Sequence, residues 1–183
     1  DAQAPEQLEI ETQAGVKQLR LLEREGNRFR LEMHMGRPVY APENIGYRLE
    51  TSRGTWPVTI LDVGNPQCAL LVDDLNFDWI ELGREIEAHP HFPRRTNVSF
   101  IRVVDRHSIE VRFYERGAGP TLSSGTGSTG AAVAAILSGR AESPVRVMTP
   151  AGDLDLEWTD GEALLRGPAE ITARGEYYWR ERA

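Results

Sequence analysis

The residues with the most chemistry to offer are gathered around one glycine-rich run. Glu115-Arg116 sets a carboxylate beside a guanidinium. From there Gly117-Ala118-Gly119-Pro120-Thr121-Leu122-Ser123-Ser124-Gly125-Thr126-Gly127-Ser128-Thr129-Gly130 leads into Ala131-Ala132-Val133-Ala134-Ala135-Ile136-Leu137. The pattern reads as a strand end, a turn, and a helix of small apolar residues whose first turn falls at about residues 125–129. The first N–H groups of a helix have no partner within it, and that end carries partial positive charge. Glycines let a ligand approach the backbone, so the run suits a carboxylate or a phosphate. A helix apolar on every side is expected to be buried all round. A glycine-rich strand-to-helix turn that holds nothing is the plain alternative, and the run alone does not separate the two.

Composition excludes several other chemistries. A net charge of −7 with no basic cluster argues against nucleic acid as a partner. No apolar run is long enough to span a bilayer, and no signal-peptide pattern opens the residues given, so no membrane partner is expected. The single cysteine, Cys68, excludes an internal disulfide framework and fits a reducing cytoplasm. The four histidines, His34, His89, His91 and His107, have no metal-ligand spacing, and none is assigned to a metal. His89 and His91 flank Pro90 in an expected solvated loop.

The elements that must position the run follow from periodicity. Strands are expected at residues 8–12, 16–22 and 29–35, with turns at Ala14-Gly15 and Glu25-Gly26-Asn27. Residues 36–55 read as irregular, punctuated by Pro42, Gly46 and Gly54. Strands return at residues 56–63 and 68–72, the latter apolar throughout and expected to be buried on both faces. Asn76 reads as a helix cap, with Trp79, Leu82 and Ile86 on one face of a helix over residues 77–88. Further strands are expected at residues 97–105, 108–114, 145–148, 153–158, 163–165 and 170–173. Many strands and two helices give an α+β chain with mostly antiparallel sheet.

An internal repeat orders these elements. Thr12-Gln13-Ala14-Gly15 followed by Leu19 recurs 137 positions later as Thr149-Pro150-Ala151-Gly152 followed by Leu156. Gly36-Arg37-Pro38 is echoed by Gly167-Pro168 after a slightly shorter loop. Two similar halves are implied, each placing a hairpin after another element. In the second half that element is the run and helix described above. Its counterpart would precede Asp1, so the chain reads as the carboxy-terminal portion of a longer protein.

Three ordered stretches, Gly64-Asn65-Pro66-Gln67-Cys68, Thr96-Asn97-Val98-Ser99-Phe100 and residues 115–127, resemble signatures of diaminopimelate epimerase. The resemblance runs over nearly the whole chain, and the third stretch is the most specific. It implies a two-domain pseudosymmetric fold, each domain a mostly antiparallel sheet wrapped around a central buried helix. One of the two would be nearly complete here. Residues 1–35 would be strands of the first, largely absent domain. Residues 36–170 would form the carboxy-terminal domain, with its central helix at about 125–138, and residues 171–183 would return to the first.

The implied activity is cofactor-independent inversion of an amino-acid α-carbon, LL- to meso-diaminopimelate, in lysine biosynthesis. Two opposed cysteines, one from each domain, would serve as base and acid. By resemblance, Asn65 and Asn97 would hydrogen-bond the substrate's amino and carboxylate groups. Glu115 and Arg116 would bind its polar groups, Glu115 also tuning the catalytic pair. Gly125 and Thr126 would offer an N–H and a hydroxyl to the carboxylate. The chain departs from the family at two catalytic positions: the family cysteine falls at Ser124 and the family histidine at Gln67. Cys68, in a buried strand, replaces neither.

Local explanations stand beside these roles. Asn65 before Pro66 fixes a turn, Asn97 caps a strand, Glu115 and Arg116 form a surface pair, and Thr126 caps the helix. The implied partners are a small amino-acid substrate, the amino-terminal half of the same protein, and a second copy in a homodimer. A one-base isomerase or dehydratase, or an amino-acid-binding relative without activity, is the alternative function.

Overall fold

The computed structural model describes residues 6–12 and 15–179. The strands are β1 (Gln7–Thr12), β2 (Gly15–Glu25), β3 (Arg28–Gly36), β4 (Tyr47–Thr51), β5 (Gly54–Asp62), β6 (Pro66–Leu71), β7 (Asn97–Asp105), β8 (Ser108–Glu115), β9 (Gly119–Thr121), β10 (Val145–Thr149), β11 (Gly152–Thr159) and β12 (Glu162–Glu170). The helices are α1 (Trp79–Glu87) and α2 (Gly125–Leu137), with a short 3-10 turn at Pro42–Asn44. The strands form one sheet in the order β1-β2-β3-β12-β11-β10-β8-β7-β6-β5-β4, with β9 beside β8. Among the described residues, only β6 with β7 and β8 with β10 run parallel. Each parallel pair is joined by a helical crossover, α1 for the first and α2 for the second. The expected α+β fold, a mostly antiparallel sheet around a buried helix, is what forms.

The sheet curls around α2, which packs against β5, β6, β7, β8, β10, β11 and β12. Its residues from Gly127 to Ala135 are all buried, as the absence of a polar face requires. On the sheet's other side, Leu82 and Ile86 of α1 pack with Val58, Cys68, Leu70, Val98 and Phe100. β5 to β8 are therefore covered on both faces. This is why Cys68-Ala69-Leu70-Leu71 is apolar without alternation: Cys68 and Leu70 face α1, and Ala69 faces α2.

The repeat has a structural counterpart. Thr12 Oγ1 donates to the Gly15 carbonyl at 2.7 Å, and Thr149 Oγ1 donates to the Gly152 carbonyl at the same distance. In both hairpins the glycine has positive φ, +94° and +128°, the region a side chain resists. The two hairpins and their third strands meet at the β3–β12 pair, where Glu32 stands opposite Arg166. A third hairpin, Thr51 to Gly54, makes the same bond at 2.8 Å. Its middle residues, Ser52-Arg53, share nothing with the other two, so the pattern gave no sign of it. Ala14, read as part of a turn, lies outside the described residues.

Several boundaries differ from the expectation. Residues 36–55 are not all irregular: Tyr47–Thr51 is β4, which carries only one buried apolar residue, Leu49. Asn76 does not cap α1. Asp78 does, its carboxylate accepting from Glu81 N at 3.3 Å, while Asn76 N is held by Asp74 Oδ1 at 2.7 Å. The acidic side chain nearer the first apolar turn takes the role. The stretches at 163–165 and 170–173 are not separate strands. β12 runs unbroken through Gly167-Pro168 to Glu170, and residues 171–179 are not strand. Pro168 is tolerated without breaking the strand, its neighbours staying in register with β3. β9 is too short to show a period.

Candidate functional site at the tip of the central helix

β6 and β7 run parallel and start at the same end of the sheet. β8 is antiparallel to β7 and finishes there, and α2 begins there. Topology therefore brings Asn65, Gln67, Asn97, Glu115, Arg116 and Ser124 to one end, although up to 59 positions separate them.

Ser124 is the N-cap of α2, in extended conformation at φ −151° and ψ 125°. Its hydroxyl has two partners. It accepts from Gly127 N at 3.1 Å and donates to Glu115 Oε1 at 2.7 Å. The hydroxyl proton is thus directed at the carboxylate, and an oxygen lone pair at the helix amide. Gly125 and Thr126 follow in the first turn, where N–H groups lack a helical carbonyl partner. Thr126 does not cap the helix; its hydroxyl accepts from Asn65 Nδ2 at 3.3 Å. Asn65 Oδ1 accepts from Gln67 Nε2 at 2.7 Å. A side-chain chain, Gln67 to Asn65 to Thr126, ties the turn before β6 to the start of α2. Gln67 is 1% exposed and its Oε1 has no partner among the described residues. An unpaired buried acceptor is destabilising by about 1–3 kcal/mol, so this carbonyl would welcome a donor.

The glycines of α2 have a packing role as well. A Cβ on Gly127 would sit 2.8 Å from the Phe113 ring, and one on Gly130 would sit 3.0 Å from Gln67 Cγ. The helix tip approaches β8 and β6 only because those side chains are missing.

Asn97 and Arg116 are arranged differently. Asn97 Nδ2 donates to the Pro66 carbonyl at 2.9 Å, and its Oδ1 accepts from Arg116 N at 3.0 Å. Both ends of that amide are engaged by backbone, so Asn97 braces β6, β7 and the turn after β8. The Arg116 guanidinium donates to the Arg94 carbonyl at 3.1 Å. Glu115 and Arg116 are not a surface pair; they point to Ser124 and to Arg94 respectively. Sequence reasoning missed Glu87, whose carboxylate accepts from Gly117 N at 3.2 Å. It looked like the polar end of an amphipathic helix.

The remaining candidates lie elsewhere. Burial pushes the Cys68 thiol well above its ordinary range, which makes it a poor nucleophile or base. His89 Nε2 meets the Glu50 carbonyl at 2.8 Å and His91 stacks on Tyr47. Among the described residues no group of three His, Cys, Asp or Glu side chains could hold a metal ion, and no helix is long and apolar enough to cross a membrane.

Residues 59–172 match the family model described as diaminopimelate epimerase. Curated diaminopimelate epimerases from Moorella thermoacetica and Pelotomaculum thermopropionicum are 38% and 39% identical to it. These matches cover 94% and 96% of this chain, and 66% and 67% of those proteins. The chain belongs to the diaminopimelate epimerase family. It spans about two thirds of the length of those relatives. The family fold extends to more distant proteins. A solved hydroxyproline epimerase from Agrobacterium vitis, with bound trans-4-hydroxy-L-proline, superposes with a TM-score of 0.68 at 14% identity. That match covers 92% of this chain and 59% of the other. Ser124 and Gln67, the positions where the resemblance expected a cysteine and a histidine, lie at the end of the sheet where α2 begins.

Proposed function

We propose that the chain forms one wall of a cofactor-independent amino-acid epimerase site of the diaminopimelate epimerase type. It would act on LL-diaminopimelate by removing and returning the α-proton. The observation that carries this reading is the hydrogen bond from Ser124 to Glu115 at the tip of α2. An α-proton beside a carboxylate is very weakly acidic, so its removal needs fixed dipoles aimed at the developing charge. The amides of Gly125 and Thr126 supply such dipoles. Asn65, held by Gln67, and Arg116, held by Arg94, stand where the polar groups of an amino acid would be recognised. Asn97 supports them through the Arg116 backbone.

The complementary wall would come from a segment outside this chain. The first domain would include residues 1–35, the second residues 36–170, with residues 171–183 returning to the first. Support comes from β1, whose Leu8 and Ile10 are 41% and 46% exposed, on a strand with one paired edge among the described residues. The lone, deeply buried thiol fits a cytoplasmic setting. A homodimer would be read directly from sedimentation.

A second reading is favoured by the direction of the Ser124 proton. A serine hydroxyl is far less acidic than a thiol, and here it already donates to a carboxylate. In a one-base isomerase or dehydratase, Ser124 Oγ would take the substrate proton as its own proton passes to Glu115. The C–H bond breaks, its electron pair stays on the α-carbon, and the carboxylate becomes the carboxylic acid. An amino-acid-binding relative without turnover would retain the cradle alone.

Incubating the full-length protein with LL-diaminopimelate in deuterated water separates these. Exchange with formation of the meso isomer is the expected result. Exchange without inversion supports the one-base reading, and binding without exchange leaves only the cradle. The Ser124→Cys variant should gain rate strongly, because a thiolate is favoured at a helix N-terminus. No gain would show that the missing thiol is not what limits turnover.

A further inference from the structure

Glu87 is the last residue of α1 and is 1% exposed. A carboxylate is disfavoured at a helix C-terminus, and a buried charge is tolerated only when paired. The partner is Arg95, whose guanidinium binds Glu87 Oε2. To deliver it, Arg95 adopts φ +59°, a left-handed conformation uncommon for a long side chain. The other carboxylate oxygen accepts from Gly117 N at 3.2 Å. The same short segment holds Arg116 twice more, through the Arg94 carbonyl and Asn97 Oδ1. Hydrogen-bond acceptors on Glu87, Arg94 and Asn97 thus converge on Arg116 and Gly117, directly after Glu115, with the Arg95–Glu87 ion pair behind them.

We propose that Glu87 is a positioning residue for the helix-tip site. Held by Arg95, its carboxylate fixes the Gly117 amide and so sets the direction of Arg116 toward the polar end of an amino-acid ligand. The bland account is a staple between α1 and a loop, which would affect stability alone. The proposal deepens the amino-acid reading above and rests on it for the ligand, but its geometric part can be tested without one.

Two measurements test it. In the first, amide hydrogen exchange is followed on this chain at Gly117 and, as an internal control, at Gly127. The Glu87→Ala variant should speed exchange at Gly117 by about tenfold, as loss of one charge-assisted hydrogen bond implies, with Gly127 unchanged. Equal acceleration at both amides, or none at Gly117, overturns the proposal. In the second, the full-length protein is assayed with LL-diaminopimelate. Glu87→Ala should raise KM by about tenfold with kcat little changed, while Glu87→Gln, which keeps an acceptor for Gly117, stays near the parent. A loss confined to kcat, or identical behaviour of the two variants, overturns it. If Glu87→Ala does not fold, Glu87→Gln decides: its Gly117 amide should remain slow, and exposure of that amide counts against the role. If the unaltered full-length protein neither binds nor turns over diaminopimelate, the ligand reading fails. The exchange result then still judges Glu87.

Discussion

β10-β11-β12 and β1-β2-β3 are the same device in two settings. Both open with a hairpin closed by a threonine hydroxyl on a glycine carbonyl, and both place apolar residues at matching positions. In the first, Val145, Val147 and Leu156 lie under α2 and are inaccessible. In the second, the residues 137 positions earlier are Leu8, Ile10 and Leu19, and none of them is buried. The same local pattern gives a core in one place and an open apolar face in the other. Hairpin geometry is thus set within a few residues, whereas burial depends on whether a helix arrives to cover the strands.

The comparison breaks most readily at its centre. Leu156→Ala should destabilise the chain by about 2–5 kcal/mol, since a close-packed site under α2 cannot collapse. Leu19→Ala should be destabilising by less than about 1 kcal/mol, because its side chain is already partly in water. Chemical denaturation of the two variants measures this, and equal losses would mean that β2 is as well covered as β11. Gly127→Ala comes next, at about 1–3 kcal/mol, because the new methyl meets the Phe113 ring. Loss of α2 packing should be visible in the near-ultraviolet circular dichroism.

A smaller effect sharpens the likeness rather than the difference. Thr149→Val and Thr12→Val each remove the threonine-to-glycine hydrogen bond of a hairpin, the first also the acceptor for Ala151 N, and should lower stability by about 0.5–1.5 kcal/mol, read as a shift of the thermal midpoint. A cost only at Thr149 would show that the hairpin needs the helix after all.

The smallest effect lies where the two regions join. Burial raises the Glu32 pKa, but hydrogen bonds and charge from Arg166 and Arg20 outweigh it, leaving the carboxyl below its ordinary value of 4.5. A depressed folded-state pKa stabilises above that value and ceases to do so as pH falls through the folded one. Glu32→Gln should therefore flatten the loss of stability below about pH 4.5, followed by acid titration of the thermal midpoint. An unchanged acid limb would mean that Glu32 is not ionised in the fold.

Much of the candidate site was legible because its chemistry is local. The start of α2 near Gly125 was legible because small apolar residues follow glycines there; its cap, offered at Thr126, is Ser124, whose hydroxyl meets Gly127 N three residues on. The Glu115 partner of Ser124 was nearby in sequence and could be anticipated. Glu87 could not. Its side chain lies on an ordinary amphipathic helix, and only the α1 crossover between β6 and β7 turns it inward beneath Gly117. Asn97 was expected to meet a ligand, yet its amide is used by backbone, because parallel pairing puts it beside Gln67.

The sequence by itself determined most of the strands, where the two repeated hairpins turn and which helix must be buried, since these depend on periodicity, φ preference and neighbours a few residues away. Only the tertiary structure decided which polar groups face one another across β6, β7, β8 and α2, and which apolar face of the repeated hairpin is covered. Those outcomes depend on strand order and crossovers, interactions between residues far apart in the chain that no local pattern encodes.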